Sequence, residues 1–545
     1  MFLISNRVDR YENFNSIKLV NNIYLFYDCN CEFEFIGNNL VIGRQYQGVV
    51  SDKDGTYVEV ELDNVDSGCI KFNRDFWGGV PLYYYNDGLI VSDSLSLIKK
   101  IIGPSAPNYG AIAEYISSAY NVGNRTVYSD VNVLMPDESL KVEISNENLL
   151  SVIQNPPFEK IDVKDEGTLL KMIEDTLTLS IENFITKQNK KNDSKCYLNL
   201  SGGVDSSLIL AKMKEYDKDF NISSLIYYHT DWRRDIVDHE FSKIACTKYN
   251  IDSKKVDIDN EIYSKYFEIY INRTKNVMHT YAPSFYFMNA TGISDGKGRV
   301  IINGSGPDES MIGTEKLSIN KIKQLDRKKL VNKENFLIHN IDYLKIPVNV
   351  ASEFFKKDIC QKFGDEVDFF KYRADVATHM HNNFGGDDCI SELQRKYHFY
   401  TILQDHIKNI YESCQQSGAD VFFPYLTNDL FILIFSANFY QLNIENEYKS
   451  IMKKILIKYF PKDYVYREKI GFQSPSTPYF IPKIGMGRKL RECLNVDSKI
   501  FSSKYNAYIL RQINEKEVDL YKRYDYSIWA YLNIRTLENN GNFKI

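Results

Sequence analysis

The sequence predicts an α/β protein built in two parts, and three observations carry that reading. Short alternating apolar segments separated by Gly, Asn and Asp fill the first hundred residues, the punctuation of strands and hairpins. From about residue 165, strand-like apolar runs alternate with helix-length amphipathic runs, the pattern of a doubly wound parallel sheet flanked by helices. At 545 residues the chain is also too long for one compact core.

Taken in order, YLFYDC, TYVEVEL, GCIKFNRD, VPLYYY and LIVSD read as strands, and YNDGLIVS as a hairpin with an Asp-Gly corner. AIAEYISSAY has the helical period, and TVYSDVNVLMPDESLKV returns to strands. The stretch NPPFEKIDVKDEG, Asn155 to Gly167, is polar and carries two prolines, so it reads as a linker between domains at 1–155 and 165–545. TLLKMIEDTLTLSIENFITKQ is a long amphipathic helix. YLNL, SSLIYYH, KVDID and RVIING are the strands of the second part, and beyond about Lys316 the chain reads as mostly helical additions.

Composition excludes several classes. Hydrophobic content of 43% with 26% charged residues is that of a soluble globular protein. A net charge of −5 gives no reason to expect nucleic-acid binding. Nine cysteines, an odd number scattered through a large chain, fit reduced thiols in a cytoplasmic protein better than a disulfide framework. Cys29 and Cys31 have no second pair to complete a zinc site. The N-terminal MFLISNRVDRYENF meets charge too early for a signal peptide. The most apolar later stretch, VFFPYLTNDLFILIFSANFY, is too interrupted by Pro424, Asn428 and Asp429 to span a bilayer.

Two glycine-rich stretches carry chemistry. LNLSGGVDSSLILAKM (Leu198 to Met213) sets Ser201-Gly202-Gly203-Val204-Asp205-Ser206-Ser207 between a strand and a helix. Such a turn aims backbone N–H groups and a helix N-terminus at one point, a ready anion site, and Ser201, Ser206 and Ser207 add hydroxyls. Asp205 is out of place beside an anion unless a metal ion lies between. The stretch lacks the G-K-[ST] of a Walker loop. The second, Asn303-Gly304-Ser305-Gly306-Pro307-Asp308-Glu309, follows the apolar run Val300 to Ile302 and again ends in acids.

The first turn resembles the pyrophosphate-binding loop of the ATP pyrophosphatase enzymes, which cleave ATP to AMP and pyrophosphate while adenylating a carbonyl or carboxyl oxygen. The second resembles the S-G-E-G-x-D-E turn of asparagine synthetases, with YAPSFYFMNA as the helix before it. Arg467-Glu468-Lys469-Ile470-Gly471-Phe472 with Ser474-Pro475 resembles the R-x-K-x-G-F-x-x-P segment of the same superfamily. Phe423-Pro424-Tyr425-Leu426 resembles its R-x-P-F-L-D stretch, with Phe422 in place of Arg and Thr427 in place of Asp. Phe72 to Ile98 resembles the G-R-D-x-x-G-x-x-P-L-Y-Y segment of the glutaminase domain fused to these synthetases.

The resemblance implies an αββα amidotransferase-like sandwich followed by an ATP pyrophosphatase domain, with ATP and Mg2+ as cofactors. Asp205 and Asp308 are then the magnesium ligands. Ser201, Gly202, Gly203, Asp205, Ser206 and Ser207 cradle pyrophosphate, and backbone around Leu198, Ile226 and Gly304 holds adenosine. Lys469 stabilises the charge that develops as the amide forms.

Two departures shape the function implied. A working glutaminase of this kind exposes a nucleophile after Met removal, whereas residue 2 here is Phe2, so the first domain is expected not to hydrolyse glutamine. Asparagine synthetases carry Glu, and β-lactam-forming relatives Tyr, where this chain has Ser305, a poor base unless activated. The reading is therefore an AMP-forming amide synthetase condensing a carboxylate with an amine. It resembles the β-lactam synthetases and lasso-peptide macrolactam cyclases of peptide or natural-product biosynthesis. An ammonia-using, asparagine-synthetase-like enzyme is the alternative. Tyr281, Tyr286 and Glu309 are candidates for the base, alongside Ser305 and Lys469 as catalytic groups. His229, Asp231 and the arginines of HTDWRRD follow a strand where a nucleotide edge or substrate lies within reach, although His229 alone is more often a satisfied loop histidine. His379-Met380-His381 lacks a third metal ligand and reads as helix surface. The substrate is a small molecule or peptide, with no nucleic acid and no membrane; a partner protein of the same pathway and a homodimer stay open.

Overall fold

The computed structural model describes residues 1–6, 14–20, 23–28, 31–62, 68–144, 149–163, 165–191, 195–230, 235–293, 299–313, 318–327, 354–363, 369–383, 389–467, 479–514 and 525–545. The α/β architecture expected from the sequence is present. Twelve strands of the N-terminal part form two antiparallel sheets. The first has the order β10 (Val131–Val133), β8 (Tyr83–Tyr85), β9 (Ile90–Ser92), β1 (Phe2–Ser5), β3 (Ile23–Tyr27), β2 (Asn15–Val20). The second runs β12 (Leu149–Gln154), β11 (Glu138–Glu143), β7 (Cys69–Arg74), β6 (Asp54–Glu61), β5 (Asn39–Tyr46), β4 (Phe33–Ile36). The expected hairpin pairs Tyr83 with Ser92 and Tyr84 with Val91. The alternation seen in the sequence sends Ile70 and Phe72 of β7 and Val58 and Val60 of β6 into a core they share with Leu3 and Leu25 of the first sheet.

The long amphipathic segment forms helix Glu166–Asn189, capped by Asp165, whose carboxylate accepts from the Thr168 N–H at 2.9 Å. Five parallel strands follow in the order β15 (Ser253–Ile258), β14 (Ile222–His229), β13 (Cys196–Asn199), β16 (Val300–Ile302), β17 (Asp420–Phe422). Four of these were legible as apolar runs. The fifth, DVF, is too short to stand out and is recruited by pairing Ile301 with Val421 and Ile302 with Phe422. The chain winds outward from β13 through β14 to β15, then returns to the other side for β16 and β17. The topological switch point lies between β13 and β16, where open parallel sheets place their ligands. No helix among the described residues is long and apolar enough to cross a membrane.

The two parts meet through specific bonds as well as a shared core. Trp77 Nε1 donates to Thr427 O at 2.6 Å, Thr56 Oγ1 to Leu426 O at 2.9 Å, and Tyr83 OH to Glu412 at 2.7 Å. Arg44 of β5 pairs with Asp420 of β17 and donates to Val421 O at 2.8 Å. The carboxylate of Asp429, in the first turn of helix Asn428–Ser436, accepts from the backbone N–H groups of Val49, Val50 and Ser51. Phe422 stacks on Phe184 with ring centroids 4.0 Å apart, so an aromatic there completes the core.

This junction carries a pH dependence. Burial, and then repulsion from Asp429, push the carboxyl of Asp54 up to about 7 from an ordinary 3.8. A folded-state pKa raised above the unfolded one means the folded protein binds the extra proton between about 4 and 7, so stability falls as pH rises through that window. Asp54→Asn keeps an oxygen for the Gly55 and Asp429 N–H groups and removes the charge. It is expected to flatten the fall in Tm between pH 5 and 8 and to raise Tm at pH 8 by about 2 °C or more. Part of the slope should remain, because burial also pushes Glu412 up to about 7. Melting curves of both proteins at the two pH values test this; an unchanged difference between them would sink it.

Candidate active site

The site grows from the carboxyl ends of β13 and β16, which pair side by side with Leu198 opposite Ile302. Each strand ends in one of the glycine-rich turns. In the first, Gly202 adopts φ +75°, and a Cβ there would lie 2.6 Å from both Phe241 Cβ and Ser242 N. Only glycine passes at this point, and the turn is held against helix Asp235–Tyr249. Helix Val204–Tyr216 then starts with Gly203 as its N-cap, a residue with no side chain to cap the first turn. A helix start of this kind presents backbone N–H donors with the helix dipole behind them.

The second turn packs on the first. A Cβ on Gly304 would meet Ser206 N at 3.5 Å and Asp205 Cβ at 3.6 Å. Asn303 Nδ2 donates to Asn199 Oδ1 at 3.2 Å, tying the two strand ends together. After Gly306 the backbone enters a π-helical turn, Asp308–Ile312. Such turns are rare and concentrate at functional sites, because they re-aim side chains.

The convergence of the two acids is the central observation. Lys449 Nζ lies 2.6 Å from Asp205 Oδ2 and 2.5 Å from Asp308 Oδ1, with the lysine side chain only 5% exposed. Asp205 and Asp308, 103 residues apart, therefore meet on one cation. Sequence reasoning missed Lys449. One signal was present: it sits at the N-cap of helix Ser450–Leu456, where a positive charge opposes the helix dipole. Its φ of +52° adds a second local cost, invisible in the sequence. The backbone is held there by Asn443, whose Oδ1 accepts from Lys449 N at 2.8 Å while its Nδ2 donates to Met311 O in the π-turn, also at 2.8 Å. A residue that breaks local preference twice and is pinned in place has a role beyond the helix.

The other expected residues are placed as follows. Ser201 and Ser206 face one another, Oγ to Oγ, at 3.4 Å within the first turn. Ser207 is not brought to the open face: it is fully buried and its hydroxyl meets Tyr464 OH at 2.7 Å. Leu198 lies on β13, Ile226 on β14 and Gly304 just past β16, three neighbouring strands. Tyr425 OH donates to Asp205 O at 2.8 Å and braces the turn. The Ser305 hydroxyl donates to Asn303 Oδ1 at 2.7 Å, so its proton is committed within its own turn and no base activates it among the described residues. Glu309 bonds His406 Nδ1 at 2.9 Å, a pairing the sequence did not reveal. Burial pushes the phenol of Tyr281 well above 10, and that of Tyr286 also upward. Neither is suited to take a proton at neutral pH. His229 is a buried structural histidine, between Tyr479 OH and Ser284 Oγ at 3.1 Å each, with its pKa pushed down to about 3 by burial. His379 bonds Asp137 at 3.2 Å. Lys469, Asp231, Arg233 and Arg234 lie outside the described residues.

The donor set suits a magnesium–pyrophosphate group. Two carboxylates converge for a hard cation, while helix N–H groups, hydroxyls and Lys449 suit phosphate oxygens.

Comparison with known proteins agrees in family. A family model described as asparagine synthase matches residues 185–536. No curated protein matches the chain. Three of the solved structures that match overlap parts of it at a TM-score of 0.20. Glutamine-dependent NAD+ synthetase from Acinetobacter baumannii shares 12% identity over 38% of this chain and 43% of its own. NH3-dependent NAD synthetase from Campylobacter jejuni shares 16% over 39% and 95%. NMN synthetase from Francisella tularensis shares 13% over 44% and 94%.

Proposed function

Because the chain belongs to the asparagine synthase family, whose model covers most of it, and is an ATP-dependent C–N ligase, we propose that it adenylates a substrate carboxylate and condenses it with an amine, closing a lactam or macrolactam in peptide or natural-product biosynthesis. The observation that carries this reading is the meeting of Asp205 and Asp308 on Lys449 across two turns at the switch point of the sheet.

In this mechanism a substrate carboxylate oxygen attacks the α-phosphorus of ATP and pyrophosphate departs. The N–H groups of Gly203 and the first helical turn, with the hydroxyls of Ser201 and Ser206, hold the departing group. Ser207 acts from behind by fixing the helix start to Tyr464. Lys449 lies where phosphate charge gathers. Asp205 and Asp308 would hold Mg2+, which when bound neutralises phosphate oxygens and eases the loss of pyrophosphate. Backbone around Leu198, Ile226 and Gly304 would receive adenosine, and Lys469 would steady the oxyanion formed when the amine attacks.

The amine is proposed to belong to the substrate rather than to come from glutamine. The cavity lined by Met1, Arg44, Asp93, Tyr411 and Asp420, among others, has a volume of about 30 Å³. That admits a water or two but no amino acid. In this reading residues 1–155 are a non-hydrolysing domain, residues 165–545 the synthetase, and the cytoplasm the working place.

The test is mass spectrometry of a cell extract's peptide fraction incubated with the protein, ATP and Mg2+, with Lys469→Ala as control. The expected product is lighter than its precursor by one water, with AMP rising in step and both lost in the control. Exchange of a hydroxyl for an amino group would instead identify ammonia as the nucleophile. Absence of AMP under every condition would sink the enzyme reading.

A further inference from the structure

We propose that His406 is the general base that takes the proton from the attacking amine, with Glu309 as the residue that positions it. This rests on the amide-forming reading above and supplies the group that neither Ser305 nor the tyrosines provide.

His406 lies in the first turn of helix Gln404–Gln416. Its Nδ1 is 2.9 Å from Glu309 Oε1. An ionised carboxylate only accepts, so Nδ1 carries the proton and the lone pair is on Nε2. Nε2 makes no hydrogen bond among the described residues, and the side chain keeps 26% of its surface open. The ring is locked from two sides. His279 and Tyr281 meet it edge-on, with centroids 5.3 and 5.4 Å away and planes at 85° and 77°. Tyr281 OH also donates to His406 O at 3.4 Å, and Asn409 Oδ1 accepts from His279 N at 3.0 Å. A base oriented by a carboxylate, with one free nitrogen, is the arrangement general-base catalysis needs.

The location agrees with the role. Glu309 is adjacent to Asp308, which shares Lys449 with Asp205, so the imidazole stands one residue from the phosphate turn. The charged groups facing it are Glu309, Asp308 and Asp405, the last paired with Lys408 at 3.0 Å. Burial disfavours the imidazolium, but these carboxylates outweigh it and raise the pKa above 6.5. In the step proposed, the amine nitrogen bonds to the carbonyl carbon of the acyl-adenylate and its proton passes to Nε2. The carbon–oxygen bond to AMP then breaks, and AMP leaves with the electron pair.

The test separates adenylation from amine attack. The precursor isolated by its mass shift is incubated with ATP and Mg2+, with or without hydroxylamine, a nucleophile reactive enough to trap the adenylate without a base. For His406→Gln and His406→Ala, amide closure is expected to fall at least about 100-fold while hydroxamate yield stays within about fivefold. Added imidazole should restore part of the closure in His406→Ala. Glu309→Gln should move the acid limb of the closure rate to lower pH, because removing the carboxylate lowers the pKa of His406. Closure within about threefold of wild type, or equal loss of hydroxamate and amide, would overturn the role of His406. If wild type gives no hydroxamate from any precursor, the amide-forming reading itself fails and this role with it.

Discussion

Lys449→Ala is expected to reduce ATP-dependent pyrophosphate release by about 100- to 1,000-fold or more, the range for removing one preorganised charge from a site where phosphate charge develops. The lysine is almost fully buried and bonds both acids of the two turns. Its loss removes the cation that Asp205 and Asp308 share, and incoming ATP meets two carboxylates less well screened. The variant should also gain more thermal stability from added Mg2+ than wild type does, because the metal then relieves a repulsion the lysine no longer offsets. Lys449→Arg is the comparison that keeps charge but changes shape. Pyrophosphate release near the wild-type rate in Lys449→Ala would remove this residue from the catalytic account.

The second large effect concerns shape. Gly202→Ala is expected to raise the apparent KM for ATP about tenfold or more, because misplacing a positioning loop by about an ångström costs that much or more. Two costs coincide at this residue. A left-handed φ of +75° penalises any Cβ, and the added carbon would sit 2.6 Å from a neighbouring side chain and from a backbone nitrogen. The backbone must shift, and with it the N–H groups of the turn. Gly203→Ala is the comparison: among the described residues a Cβ there would find Ser201 Oγ, at 3.3 Å. Steady-state kinetics beside a melting curve decides the matter. A Tm loss with unchanged KM in Gly202→Ala would show that the turn stabilises the fold but does not set the phosphate site.

Much of this was legible before any coordinates. The two turns announce themselves because glycine, serine and aspartate between a strand and a helix have few other uses, and their strands are uninterrupted apolar runs. The hairpin of β8 and β9 could be read from an Asp-Gly corner and its alternation. What stayed hidden depends on contacts between distant segments. Lys449 is one lysine in a lysine-rich stretch until the fold sets it against residues 205 and 308. His406 sits in a helix whose sequence, QDHIKNIY, gives no sign that one imidazole faces a glutamate 97 residues earlier. The strand Asp420–Phe422 is three residues long and exists because β16 offers it a partner. Ser207 looked like a phosphate ligand from spacing alone, but the turn of the helix swings it inward toward Tyr464.

The bond from Arg44 to the backbone of β17 has a consequence for how the chain is made. A strand at the margin of a sheet offers its unpaired carbonyls to any other chain that passes, and natural proteins cover such margins. Here the Arg44 side chain occupies one such carbonyl, that of Val421, from a strand synthesised some 375 residues earlier. On the ribosome the antiparallel sheets emerge first and can fold before β17 leaves the exit tunnel, so Arg44 is in place to meet the Val421 carbonyl as that strand forms.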